Sequence, residues 1–428
     1  MRNDVKNMLD FIDRSPTAYH TADNIARALT EAGFTRLYEG ERWQTVEGGR
    51  YFTVRNSSSV IAFIKGKAGA PFMICSSHSD FPAFKVKEEE NGVYVRLSTE
   101  KYGGMIMYSW FDRPLSVAGR VIVREGGALS ERLLNIDRDL LVIPSVAIHL
   151  SNDVNNGFSP NPAVDLLPLF SLDKGATLGS LIASELSVEE ESIVSHDLFL
   201  YVREKGKLIG KDTELILSPR IDNLECVFAS LEGFLASENT EETKVLAVFD
   251  NEEVGSETKQ GAASEFLCEV LERISEDRES YFASSSAGLM VSADNAHARH
   301  PAHPELSDKV SSPLLGGGVV VKYNANQRYA TDAVSSALFE EIAASANAKI
   351  QSYRNRADKI GGSTLGSIAT TKVSIPTVDI GLSQLAMHSA VETAAASDLS
   401  DMISALTKFY SSSIRRENGK IVVKWRKI

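Results

Sequence analysis

Cysteine is scarce in this chain: three in 428 residues, at positions 75, 226 and 268. They are widely spaced inside apolar segments. Neither a disulfide framework nor a thiolate metal knuckle follows from them, and they read as reduced core residues of a cytoplasmic protein. Long hydrophobic runs are missing too. No window approaches the apolar length of a transmembrane helix. The N-terminal MRNDVKNMLDFIDRS carries acids at helical spacing where a signal peptide needs an unbroken apolar stretch. Positive charge is in deficit: 45 Lys and Arg against 57 Asp and Glu leave a formal net charge of -12. That balance argues against nucleic acid or an anionic membrane as a partner. The glycine-rich GGSTLG at 361–366 lacks a Walker lysine and a dinucleotide pattern, so it reads as backbone brought close to a ligand. There is no internal repeat and no low-complexity tract. What remains is a soluble composition, 43% apolar and 24% charged, in a chain longer than one comfortable core.

The informative feature is a recurring pattern of apolar strands that end in a carboxylate or an imidazole. Val245–Phe249 has the length and composition of a buried strand and runs into Asp250, Glu252 and Glu253, with Gly255 and Gly261 flanking the turn. Acids at the carboxyl end of such a strand lie where open α/β sheets place their ligands. Adjacent glutamates point in different directions, so one can bind a metal while the other handles a water proton. Taken alone the pair reads as a solvated acidic turn. The pattern, however, returns elsewhere. Residues 71–75 lead to His78 and Asp80, and 215–217 lead to Asp222. Residues 288–293 lead to Asp294, and 378–382 precede His388.

Between these pieces the chain reads as follows. Helices are expected at 4–14, 19–33, 226–235, 331–347 and 392–411, and strands at 50–55, 59–65 and 319–323. Residues 87–212 have a different texture, with strand-like pieces at 93–97, 117–123 and 140–143 separated by turns. The stretch 151–173 reads as a long loop. His149 sits beside an apolar strand there, as a core or interface histidine would. His297, His300 and His303 lie among prolines that exclude a regular helix, so they read as loop residues. The expected architecture is α/β: a mixed central sheet flanked by helices, built from 1–86 and 213–428 and interrupted by a β-rich insertion, 87–212.

Five segments thus deliver His78, Asp222, Glu252/Glu253, Asp294 and His388. Imidazole with carboxylate suits zinc, manganese or cobalt. Five potential ligands exceed the need of one catalytic zinc, which points to two metals sharing a carboxylate, with a spare glutamate as base. The pattern alone leads to a two-metal hydrolase.

The motifs HSDFPAFKVK (78–87), SPRIDNLECVFASL (218–231), FDNEEVGSETKQGA (249–262), SADNAHARHP (292–301), KYNANQRYATDAV (322–334), GGSTLG and QLAMHS (384–389) resemble those of the M18 aspartyl aminopeptidases. They occur in family order over nearly the whole chain. The resemblance implies a zinc-aminopeptidase fold with two divalent ions bridged by Asp222. His78 and Asp294 complete one site, and Glu253 and His388 the other. Glu252 is the implied general base toward the bridging water, and Asp80 orients the site. Lys322 matches the lysine that recognises an N-terminal Asp or Glu; Tyr329 lines the same pocket, and Gly362, in GGSTLG, is a substrate-binding position. His149 matches a histidine that reaches a neighbouring subunit's active site. That role implies a dimerisation domain in the insertion and a dodecamer built from dimers. Two departures, Phe81-Pro82 for Ser-Pro and Ile360-Gly361 for Pro-Cys, bear on specificity. Two rival readings stand beside this one: a broad-specificity two-metal aminopeptidase of a sister family, and an inactive peptide-binding assembly.

Overall fold

The computed structural model describes residues 2–152, 154–238, 241–417 and 420–425. Its centre is a nine-stranded mixed sheet. In spatial order the strands are Thr35–Arg36, Arg50–Arg55, Ser59–Ile64, Thr243–Phe249, Phe72–His78, Leu289–Ala293, Thr377–Gly381, Val319–Tyr323 and Ile350–Arg354. The four strands from Thr243–Phe249 to Thr377–Gly381 run parallel, and their neighbours Ser59–Ile64 and Val319–Tyr323 run antiparallel to them. Both faces are covered, which is why these strands read as unbroken apolar runs. Along Thr243–Phe249 the side chains alternate: Val245, Ala247 and Phe249 enter one core, Leu246 and Val248 the other. The first core is closed by helices Phe266–Ile274, Arg278–Ala287 and Leu365–Ala369. The second is closed by Arg2–Asp13, Ala18–Glu31, Ile221–Leu235, Ala333–Ser345 and Ala396–Tyr410. Each fully buried Phe, Leu or Val contributes roughly 1.5–3 kcal/mol to this packing.

Register brings the strand ends level. Phe249 pairs with His78, and Ser292 pairs with Ser76, so continuing the second pairing by two residues sets Asp294 level with His78. A second, five-stranded sheet carries the remaining elements, in the order Lys207–Ile209, Leu215–Ser218, Glu392–Ala395, Ser383–Leu385 and Ala296–His297. In it Ser218 pairs with Glu392, and Gln384 with Ala394.

A third, six-stranded antiparallel sheet is ordered Ala128–Asn135, Leu115–Glu125, Ile193–Val202, Ala83–Asn91, Val95–Tyr102, Leu169–Ser171. It has its own core of Phe84, Leu97, Trp110, Val121 and Leu198, and the helix Leu178–Leu186 packs on it. In chain order its strands begin at Ala83 and end at Val202.

Several boundaries differ from the sequence expectation for physical reasons. The helix expected from 331 begins at Ala333, because the Asp332 carboxylate caps it by accepting the N–H groups of Val334 and Ser335. Residues 392–395 form a strand before the helix Ala396–Tyr410, since both neighbouring strands pair with them. Residues 140–143 make isolated bridges only, at Leu141 and Val142. The helix expected from 226 starts at Ile221, with non-helical torsions at Asp222 and Asn223. All three cysteines are free; Cys75 and Cys226 are buried in the core and Cys268 is partly buried. Among the described residues no helix is long and apolar enough to cross a membrane.

Candidate metal centre

His78, Asp222, Glu253, Asp294 and His388 converge at the carboxyl ends of the parallel strands. Asp222 stands between two pairs. Its Oδ1 lies 3.5 Å from His78 Nε2, which is also 3.5 Å from Asp294 Oδ1. Its Oδ2 lies 3.4 Å from His388 Nε2, which is 3.3 Å from Glu253 Oε1. These separations are long for hydrogen bonds. They match the edge of a coordination tetrahedron, because bonds of about 2.0–2.1 Å to zinc set ligand atoms about 3.3 Å apart. Asp222 Oδ1 and Glu253 Oε1 are buried and accept no hydrogen bond from the protein. A buried carboxylate oxygen left without a donor is costly unless a cation meets it. The ligand atoms of His78, Asp222 and Asp294, and those of Asp222, Glu253 and His388, each fall within 4.8 Å of one another. The donor set therefore fits two divalent ions that share Asp222.

Both imidazoles are held in one tautomer. His78 Nδ1 donates to the backbone carbonyl of Asp80 at 3.0 Å, and His388 Nδ1 donates to the carbonyl of Gly104 at 2.6 Å. A carbonyl only accepts, so each Nδ1 carries the proton and each Nε2 faces the carboxylates. Asp80 takes a further role through its side chain. Oδ1 accepts the N–H of Glu252 at 3.1 Å and Oδ2 that of Glu253 at 3.2 Å. One carboxylate thus orients the turn that carries both glutamates. Glu252 presents its carboxylate within 4.8 Å of ligand atoms of His78 and Glu253.

The electrostatics follow from concentrating acids in a dry site. Burial opposes charge on His388, but the Asp222 and Glu253 carboxylates outweigh it and push the imidazole up to about 12. Burial is likewise outweighed at His78, where Asp222, Asp294 and Asp80 raise the imidazole well above its usual value. Burial lifts the Glu253 carboxyl to about 7 although His388 opposes it. Burial also lifts Glu252 well above the ordinary carboxylate range; His78 opposes, and Asp294, Glu253 and Asp80 add.

The other residues singled out in the sequence fall in three places. Lys322 is 2% exposed; its Nζ donates to Asn295 O at 2.7 Å and lies 3.5 Å from Asp294 Oδ2. The ammonium stands 5.5 Å from the centre of the Tyr329 ring. Gly362 is exposed on a cleft of about 340 Å³ lined by His297, Tyr353 and Gln384–Met387, the segment leading to His388. His149 lies in an exposed turn and is not one of the converging ligands. Of the two departures, Ile360-Gly361 lines that cleft. Phe81 is buried, with the Arg220 guanidinium 5.7 Å from its ring centre.

Three residues escaped the sequence reading. Tyr102, at the end of a strand of the six-stranded sheet, donates from its hydroxyl to Asp80 Oδ2 at 2.6 Å and accepts from Asn251 Nδ2 at 2.9 Å. Gly104 supplies the carbonyl to His388. Glu392, read as part of a terminal helix, accepts backbone N–H groups from Asp222 and His388. None belongs to an apolar run that ends in a ligand, so no local signal marks them.

Two imidazoles and three carboxylates gathered beside the carboxyl ends of parallel strands make a site of the metallohydrolase kind. The sequence profile of the family described as "Aminopeptidase I zinc metalloprotease (M18)" matches residues 11–410. A probable M18 family aminopeptidase 2 of Clostridium acetobutylicum is 43% identical over 432 residues, covering 96% of this chain and 100% of that protein. Among solved structures, a chain of the Ape4–Nbr1 complex superposes with a TM-score of 0.92 at 35% identity, covering 96% of this chain and 85% of that one. The S. cerevisiae mApe1 dodecamer gives 0.83 at 26% identity, covering 95% of both chains. The chain belongs to the M18 family of zinc metalloproteases and is a metalloaminopeptidase, a hydrolase.

Proposed function

We propose that this aminopeptidase releases N-terminal Asp or Glu from peptides with two divalent ions per chain, zinc foremost, with manganese or cobalt able to replace it. The observation that carries the two-ion reading is Asp222, whose two oxygens face two separate histidine–acid pairs at 3.5 and 3.4 Å. In this reading Asp222 would be shared, His78 and Asp294 would help it hold one ion, and Glu253 and His388 would help it hold the other. Such ions polarise a scissile carbonyl and make a water more acidic. The protein's own groups do the rest. Glu252, its carboxyl raised by burial, takes a proton from the attacking water and passes it to the leaving amine. Asp80 positions that base through the backbone N–H of Glu252.

The acidic preference is read from Lys322, a buried cation beside the site with the Tyr329 ring next to it. A pocket for neutral residues gains nothing from a buried ammonium. One observation favours the broad-specificity reading instead: Asp294 Oδ2 lies 3.5 Å from Lys322 Nζ and offsets part of its charge.

We read residues 87–212 as a dimerisation domain inserted between catalytic parts 1–86 and 213–428, in a homo-oligomer, a dodecamer built from dimers. The dodecameric relative supports this, as do Val146, Ile148 and Leu150, exposed apolar side chains around His149. His149 then reaches the site of a neighbouring subunit. Three free thiols and a net charge of -12 support a cytoplasmic enzyme without nucleic acid or membrane partners.

Hydrolysis of matched Asp-, Glu- and Leu-peptides, before and after chelation and with zinc, manganese or cobalt restored, tests the reading. Metal-dependent release of Asp and Glu ahead of Leu is expected. Preference for Leu moves the protein to the broad-specificity reading. No release by an intact assembly holding two metal equivalents per chain leaves only a peptide-binding scaffold.

A further inference from the structure

Glu392 has no part in the chemistry above, yet it is 2% exposed and stands directly behind the metal centre. It opens the strand Glu392–Ala395, where pairing sets it opposite Ser218, four residues before Asp222. Its Oε2 accepts the backbone N–H of Asp222 at 3.0 Å, and its Oε1 accepts that of His388 at 2.7 Å. Oε1 also accepts from Gln384 Nε2 at 3.2 Å. Gln384 in turn accepts from Asn295 Nδ2 at 2.7 Å, so the side chain of the clamp is itself braced by the residue after Asp294.

The segments it holds need such a clamp. Ala386 and His388 both have left-handed backbone, with φ of 56° and 66°, a conformation that tertiary contacts must maintain in residues other than glycine. Asp222 lies in the irregular first turn of its helix, where regular helical hydrogen bonds do not fix it.

We propose that Glu392 is the positioning residue for one half of the metal pair, fixing the backbones of Asp222 and His388 so that their side chains meet a single ion with Glu253. The inference rests on the two-ion reading. Glu392 touches two of the three groups of the His388 half and only the shared Asp222 of the other. The His78 half has its own brace, the Asp80 carbonyl on the imidazole. The consequence is asymmetry. Loss of the clamp weakens the equivalent held by His388 most, and the other, which meets the clamp only through the shared Asp222, less.

Glu392→Gln is the decisive variant. Its amide nitrogen would have to face one of two backbone N–H donors that cannot turn away. The intact oligomer would be stripped of metal and titrated with Zn²⁺ by calorimetry, and with Co²⁺ by visible absorption. The expected result is that one of two equivalents per chain weakens by roughly 10–100-fold while the other, linked to the clamp only through Asp222, weakens clearly less. At limiting metal, kcat falls with little change in KM. Two equivalents of unchanged affinity, or a parallel loss of both, would overturn the proposal. A merely structural role lowers the melting temperature without splitting the equivalents. If Glu392→Gln does not fold, Glu392→Asp keeps the charge, withdraws it by one methylene, and shows the same unequal weakening to a smaller degree. Equal behaviour of both equivalents in that variant refutes the clamp. A wild-type protein that binds fewer than two equivalents refutes the two-ion reading itself.

Discussion

Replacing Tyr102 by phenylalanine removes one oxygen and keeps a ring whose edge-on contact with Phe199 has centroids 5.6 Å apart. The hydroxyl joins the six-stranded sheet to the metal centre, donating to Asp80 Oδ2 at 2.6 Å and accepting from Asn251 Nδ2 at 2.9 Å. Burial, then the Asp80 and Asp250 carboxylates, raise its pKa, so the phenol stays a donor. A hydrogen bond to a charged group contributes about 1.5–3 kcal/mol. Asp80 keeps the N–H groups of Glu252 and Glu253, so it is not stranded and the lower end of that range applies. At about 1.4 kcal/mol per decade, that corresponds to roughly a tenfold loss of rate. The loss belongs in kcat, because Asp80 governs the turn carrying Glu252 and not the pocket around Lys322. Steady-state hydrolysis of an Asp-peptide, with metal content checked by elemental analysis, measures it. A kcat within about twofold of wild type at full metal would refute the reasoning, as would a loss confined to KM.

Other perturbations separate the remaining parts. Lys322→Met is expected to raise KM for an Asp-peptide by roughly tenfold or more, from the loss of about 1.5–3 kcal/mol of charged hydrogen bonding, and to leave a Leu-peptide nearly unchanged. Equal effects on both peptides remove Lys322 from the specificity pocket. Lys244 gives a pH test away from the site. It is 1% exposed and donates to Ser237 Oγ at 3.0 Å and to the Glu238 carbonyl. Burial holds its pKa down to about 8, against 10.5 for an ordinary lysine. Between those values the unfolded chain binds more protons than the folded one, so stability rises with pH across that window. Denaturant titrations on either side of it should show that rise in the wild type and a flatter profile in Lys244→Met; identical profiles contradict the assignment.

Much of this protein is legible because the informative signals are local. An apolar run that breaks into His78, Glu252-Glu253 or Asp294 is a pattern within a dozen residues. A parallel sheet buried on both faces produces it, since only the strand ends can carry charge. The fold class was readable in this way, as were the side chains that the fold brings together at the strand ends, and the motifs named the family. Boundaries failed where a distant partner chose the state. Residues 392–395 pair with strands from two other segments, so they leave the helix that their own spacing suggested.

The braces of the centre belong entirely to tertiary structure. Tyr102 and Gly104 reach the site because the six-stranded sheet packs beside the nine-stranded one, and nothing in KYGG announces an acceptor for His388 or a donor for Asp80. Glu392 meets Asp222 and His388 through strand register and through two left-handed residues, which no periodicity encodes. By itself the sequence determined which side chains could bind metal, because ligand chemistry is a property of residue type and strand ends are marked locally. Only the folded chain decided which oxygen of Asp222 faces which histidine and which nitrogen of each ring is free. Those choices depend on hydrogen bonds between segments far apart in the chain, and on fractions of an ångström that packing alone sets.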